Sequence, residues 1–395
     1  MSSRTRLLVL CVSAPVIAFA VVGGYLGRAM TRDDTYQHLR VFEDVVSLIM
    51  NNYVEDVDVD KVMRGAMRGL AEGLDPDTAY LSPSDVRTIE RGEKPPAGEV
   101  GLDLTRQYYL RVIAPADNSP AARAGIRPGD FVRAIDGKAT REMSVFEGMR
   151  LLRGEPGTKV TLTIIRGSAA DPHQVELVRE RPSGSDVSGK AMTAGVGYLR
   201  VAAFAPRVAD EIRSQVGELS RQGAIRLVVD LRNDAHGDFD AALAAARLFV
   251  PSGTLAMRES RSAPREMFAA APGDGSLTLP AVLVVNEGTS GPAEVFAAAL
   301  AGNKRAELVG ERTHGRAALQ KLVRLPDGSG LWLSNSWFLT PAGAAIQEKG
   351  LTPVLEVEEP DVEFGAAPPQ TDPLLDKALE RLGAKPQPAG AGPSR

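Results

Sequence analysis

The sequence predicts a multidomain α/β protein: a helical N-terminal region, a small β-rich module and a larger α/β core, preceded by one transmembrane or signal helix. Three observations predict this. Apolar strands alternate with helical patterns between residues 195 and 360. Short strands and turns fill residues 98–182, and a 3.6-residue apolar period runs through residues 34–92. At 395 residues the chain can bury several cores, and its apolar (44%) and charged (24%) fractions are those of a globular protein. The net charge of −4 gives no reason to expect nucleic-acid binding. One cysteine, Cys11, leaves the rest of the chain without a disulfide or thiol chemistry. His38, His173, His236 and His314 are scattered without metal-ligand spacing, so neither a metal nor another cofactor is expected.

Taken in order, Arg4 and Arg6 precede an apolar run from Leu7 to Leu26. About twenty residues at ~1.5 Å each reach ~30 Å, enough for a bilayer. Ala18-Phe19-Ala20 has the small-residue spacing of a signal-peptide cleavage site, but the run continues past it, which favours an uncleaved anchor. Either way the bulk of the chain is expected outside the cytoplasm, and the anchor reading places it on the inner membrane with its ectodomain in the periplasm or outside the cell. Val41, Val45, Val46, Ile49 and Met50 mark one helix, and Asp60 can cap a second. Lys94-Pro95-Pro96-Ala97-Gly98 reads as a linker. Val100–Leu104, Tyr109–Ile113, Phe131–Ile135 and Val160–Arg166 read as strands, with helices at Ser119–Ile126 and Val145–Arg153. In the core, Val196–Val201, Arg226–Leu231 and Ala281–Val285 read as strands, and Pro206–Gln222, Ala241–Phe249 and Ala293–Leu300 as helices. This alternation argues parallel strands. The domain boundaries expected are 1–30 (anchor), 34–95 (helical), 98–185 (β-rich), 190–365 (core), 366–383 (C-terminal helix) and a disordered tail, 384–395.

The run Ser119-Pro120-Ala121-Ala122-Arg123-Ala124-Gly125-Ile126-Arg127-Pro128-Gly129-Asp130 resembles the PDZ signature of secreted bacterial proteases. Leu74-Asp75-Pro76-Asp77-Thr78-Ala79-Tyr80-Leu81 is similar to the LDPHSxYL motif of C-terminal processing peptidases, with Asp77 in the His place. Leu151–Thr158, Asp230-Leu231-Arg232-Asn233, Asn286-Glu287-Gly288, Val309-Gly310-Glu311, Leu325–Gly328, Leu339–Gly343 and Lys349–Pro353 match that family in order. The resemblance spans about residues 40–382 and implies a serine peptidase using a Ser-Lys dyad, in which a neutral lysine takes the serine's proton. A glutamine four residues later supports the lysine, and a PDZ domain captures the substrate's C-terminal tail.

Laid on the family's patterns, the site residues depart from that chemistry. The nucleophile turn G-[ST]-x-S-x-S-E is Gly288-Thr289-Ser290-Gly291-Pro292-Ala293-Glu294, so the nucleophile position is Gly291. The base motif G-K-x-x-x-Q is Gly315-Arg316-Ala317-Ala318-Leu319-Gln320. It places Arg316, which stays protonated, at the lysine position and keeps Gln320. The oxyanion stretch D-L-R-N-N-P-G-G becomes Asp230-Leu231-Arg232-Asn233-Asp234-Ala235-His236-Gly237, with His236 for one glycine and Gly237 kept; Asp234 and Asp238 are expected to add negative charge there. Loss of a nucleophile or base alone costs ~10⁴–10⁶ in rate. Ser290 is the alternative nucleophile; its bland reading is a turn residue whose hydroxyl satisfies local backbone. Val100, Gly101, Leu102 and Asp103 stand where a carboxylate-binding loop and groove strand should begin, with Val145, Met149 and Leu152 on the apolar wall. The expected function is a peptidase homologue that has lost its dyad and binds C-terminal tails or a partner peptidase through the PDZ domain. The competing readings are an active endopeptidase using Ser290 and a structural envelope scaffold. The expected contacts are the membrane through residues 7–26 and no nucleic acid, and the family pattern leaves homo-oligomer assembly open.

Overall fold

The computed structural model describes residues 36–167, 171–367 and 369–384. The apolar run at residues 7–26 and the tail 385–395 lie outside the described residues, and with them the expected anchor and disordered tail. Among the described residues no helix is long and apolar enough to cross a membrane. The chain divides into two units, Met1–Met67 and Arg68–Arg395. In the first, residues 36–52 form a helix whose Leu39, Val45, Leu48, Ile49 and Met50 are exposed, and a second helix, Val59–Glu72, begins.

The second unit is built on three sheets. The first carries the strand order Leu102–Gln107, Tyr109–Pro115, Phe131–Ile135, Lys159–Ile165, His173–Val178, all antiparallel, with Leu102–Gln107 at its edge. Helix Val145–Leu152, capped by Ser144, closes this module over a core of Val100, Leu104, Leu110, Val132 and Leu162. The edge strand starts at Leu102 and not at Val100 because Gly101 has φ +69°; a Cβ there would lie 2.3 Å from that of Ser119.

The central sheet orders Leu355–Glu356, Ala306–Gly310, Ala281–Val285, Arg226–Asp230 and Val196–Val201 in parallel, with Val187–Ala191 antiparallel at one edge. The alternation read from the sequence is realised here. Leu227, Val229, Leu283 and Val285 pack on helices Val208–Arg221, Phe239–Phe249 and Pro292–Gly302. Val228, Val282 and Val284 face the C-terminal helix Pro373–Arg381. Asp372 caps that helix and also holds Arg232 at 2.9 Å, tying it to the end of the central strand.

A third, antiparallel sheet departs from the expectation. Ala79–Leu81, Gly330–Leu339, Thr254–Ser260 and Glu266–Ala269 pair in that order, and Ala318–Arg324 joins Gly330–Leu339. Residues 34–92 are therefore not wholly helical. Ala79 and Leu81 bury on alternate positions, and the pairing partner lies far away in sequence (Ala79 with Trp332), so local periodicity did not reveal the strand. Helix Pro292–Gly302 lies between the parallel and antiparallel sheets and is buried from Pro292 to Leu300, as expected of a helix apolar on every face. Its Phe296 packs between Phe204 and Phe249, with ring centroids 5.2 and 5.8 Å away. The change Phe296→Ala should cost about 3–5 kcal/mol of stability, read as a lower urea midpoint at unchanged slope.

Candidate functional site

Three loops leave the carboxyl ends of adjacent parallel strands: residues 231–238 after Arg226–Asp230, 286–291 after Ala281–Val285, and 311–317 after Ala306–Gly310. Ligands of open α/β sheets meet the protein at this end. Asn286 binds the first two loops together. Its Nδ2 donates to Asn233 Oδ1 (2.9 Å) and Glu359 Oε1 (3.0 Å), and its Oδ1 accepts from the amides of Asn233 and Gly288. Thr289 Oγ1 donates to the carbonyl of Leu231 (2.9 Å).

Gly291 precedes the buried helix with φ +64°, ψ −123°, a conformation that strains any other residue. Pro292 opens the helix, having no amide hydrogen to lose. A Cβ on Gly291 would lie 3.6 Å from the carbonyl oxygen of Arg316 and 3.9 Å from that of Ala235. The position thus has room for a side chain, directed between the loops 311–317 and 231–238.

Glu294, one turn into the helix, fastens the turn 286–291 to the loop 311–317. Its Oε2 accepts from the amides of Gly291 (3.0 Å) and Arg316 (2.8 Å), and its Oε1 from the amide of Gly315 (2.7 Å) and the hydroxyl of Thr313. Complete burial pushes this carboxyl above its ordinary range despite four donors that favour the anion.

Arg316 turns to Asp77, with Nη2 2.8 Å from Oδ1; Asp77 is buried and Arg316 half-buried. The contact is an ion pair with poor hydrogen-bond alignment. Burial opposes the guanidinium charge, but Asp77, Asp103 and Asp75 outweigh it and raise the proton affinity of Arg316. Gln320 does not reach Arg316; its Nε2 points to Ser334 Oγ (3.3 Å) and the carbonyl of Ala318 (3.4 Å). His314 is pushed down to about 4 by burial and by Arg316 and Arg111, so its imidazole is neutral at pH 7.

Ser290 is fully buried. Its amide donates to the carbonyl of Asp234 (2.9 Å), and its hydroxyl has no partner among the described residues. The expectation that this hydroxyl satisfies local backbone is therefore corrected. Asp234 is also wholly buried, both oxygens lacking hydrogen-bond partners among the described residues, and burial raises its pKa well above the carboxylate range. Burial thus works against the negative charge expected from this residue, whereas Asp238 lies exposed at the start of helix Phe239–Phe249. Gly237 keeps its place for a backbone reason: at φ +122° a Cβ would lie 2.3 Å from the carbonyl oxygen of Phe204.

His236 joins this loop to the first module, its Nδ1 lying 2.5 Å from Asp103 Oδ2 on the edge strand. Val100, Leu102, Val145 and Leu152 belong to the buried core of that module, with Met149 packed against it. The apolar wall of the expected groove is therefore narrower than the sequence suggests. Among the described residues Leu102–Gln107 nevertheless pairs with one neighbour only. Sequence reasoning missed the Asp77–Arg316 pair. Its signal was available, since both residues depart from the family's pattern with opposite charges.

A PDZ-like module beside an α/β core, with loops of this pattern at the carboxyl end of its sheet, defines a peptidase-like class. The PDZ domain family matches residues 111–166, and peptidase family S41 matches residues 195–357. The carboxyl-terminal-processing protease of Synechocystis sp. is 32% identical over 315 residues, 78% of this chain and 74% of the relative. The carboxy-terminal-processing protease of Bartonella bacilliformis is 28% identical over 360 residues, 87% and 83% of the two chains. A solved structure, the photosystem II D1 C-terminal processing protease, superposes with a TM-score of 0.67 at 28% identity, covering 80% of this chain and 92% of that one. The chain belongs to the C-terminal processing peptidase family.

The Asp103 carboxylate raises His236 to about 9, with Glu99 and Asp234 adding and burial opposing. A raised histidine stabilises the fold fully below its unfolded value of ~6.5 and loses that contribution as pH climbs through 9. Stability should fall by about 1–2 kcal/mol between pH 6.5 and 9.5, after discounting for partial exposure. Urea titrations of His236→Gln across that range should lack this component.

Proposed function

We propose that this chain is a C-terminal processing peptidase homologue that has lost its Ser-Lys dyad and works by binding. Its ligands are C-terminal tails of proteins, or a partner peptidase, taken by the PDZ domain. The observation that carries this reading is Gly291 at the strained turn before the buried helix, with Arg316 held by Asp77 where the family has its lysine. A glycine offers no nucleophile, and a paired guanidinium takes no proton. Residues 98–185 as the PDZ domain and 190–365 as the peptidase-like core follow from the same reading. So does an envelope location with the ectodomain beyond the inner membrane, supported by the apolar run at residues 7–26 behind Arg4 and Arg6.

The edge strand Leu102–Gln107 supports tail capture, since an unpaired edge is where an extended peptide adds its own backbone. The active alternative requires Ser290, whose hydroxyl is fully buried. Incubated with unfolded proteins bearing apolar tails, the full chain should leave them intact. Cleavage products that vanish in Ser290→Ala would establish the enzyme instead. In anisotropy measurements, apolar-tailed peptides should bind at micromolar affinity and lose at least about tenfold on C-terminal amidation. Equal affinity for the amidated peptide would remove carboxylate capture from the reading. No binding at all would leave the scaffold role standing.

A further inference from the structure

Asp77 is part of the disabled site, although it lies far from both dyad positions in sequence. The turn that presents it is rigid. Asp75 accepts from the amides of Asp77 (2.8 Å) and Thr78 (2.7 Å) and from the Thr78 hydroxyl (2.8 Å). Directly afterwards, Ala79–Leu81 is pinned to Gly330–Leu339, which also pairs with Ala318–Arg324, the strand that follows Arg316. The backbone of Arg316 is held separately by Glu294. Carboxylate and guanidinium are therefore brought together by two segments anchored to the same strand, with the Arg316 amide held in addition by Glu294. A buried carboxylate requires a cation beside it, and a cation at position 316 is what Asp77 obtains.

We infer that Asp77 is a positioning residue that keeps the dyad's base position cationic whatever basic side chain stands there, so that restoring serine and lysine at 291 and 316 leaves the lysine protonated. The inference rests on reading those positions as the family's nucleophile and base. A working base must be neutral before it takes the serine Oγ–H proton, and an opposite charge within ~4–6 Å favours the charged form. The groups facing position 316 all bear on this balance. Asp77 and Asp75 come from the N-terminal turn, Asp103 from the PDZ edge strand, and His314, neutral, from the same loop. Asp103 is already paired with His236, and Asp77 alone makes a 2.8 Å contact with Arg316. The defect in the base therefore has two halves, Arg316 and Asp77.

The test needs no enzymatic activity. Full-length Arg316→Lys and Arg316→Lys/Asp77→Asn proteins, labelled in lysine, are titrated by heteronuclear NMR, and the new lysine is identified by difference from the unsubstituted protein. With Asp77 present it should titrate above the ordinary ~10.4, and Asp77→Asn should lower it by at least about one unit. Coincident titrations in the two backgrounds would overturn the inference. Should Arg316→Lys fail to fold, a double-mutant cycle replaces it. Asp77→Asn should lower the urea midpoint of the otherwise unchanged chain and leave it unmoved in an Arg316→Gln background. Equal losses in both backgrounds would also overturn it. Proteolysis by the unsubstituted chain would sink the binding role proposed above without touching either result.

Discussion

Glu294 is the constraint on which the site depends. One buried carboxyl group takes hydrogen bonds from the amides of Gly291, Gly315 and Arg316 and from the Thr313 hydroxyl. It lies on a helix buried along almost its whole length, so it cannot turn to water for other partners. Replacing it would leave several buried donors without an acceptor, each costing about 1–3 kcal/mol. The turn at 286–291 and the loop at 311–317 are thereby fixed to each other independently of the side chains at 291 and 316.

Around that centre, charge pairs join the loops and modules. Arg316 pairs with Asp77, and His236 and Asp103 join the loop 231–238 to the PDZ edge strand. Arg111–Glu287 and Arg200–Asp117 link the PDZ module to the core on two further loops. Such pairs are worth little where solvated. Where one member is buried, as with Asp77, breaking the pair costs far more than forming it gains. The result is a set of loops held by internal ion pairs, with the PDZ module tied to them through its edge strand.

Much of this was legible along the chain. The parallel core strands announced themselves as continuous apolar runs, because both faces of that sheet are covered by helices. Gly291 and Arg316 could be placed because the residues flanking them, Gly288, Glu294, Gly315 and Gln320, hold their spacing. The antiparallel sheet was less legible. Its strand Ala79–Leu81 is three residues long and finds its partner more than two hundred residues later, where no local period points. Ser290 and Asp234 were misjudged for a related reason. Whether a hydroxyl is satisfied or a carboxyl ionised depends on what surrounds it from other segments, and here burial leaves one unpartnered and raises the proton affinity of the other.

The sequence by itself determined the family, the order of the modules and the identities of residues 291 and 316 between their flanking glycines, Glu294 and Gln320, because each is written in residue identity and short-range spacing. Tertiary structure alone decided what surrounds those residues. Asp77 meets Arg316, and Asp103 meets His236, across segments joined only by long-range strand pairing and loop docking. The charge state of a buried group is a property of those neighbours, and neighbours of this kind exist only once the chain has folded.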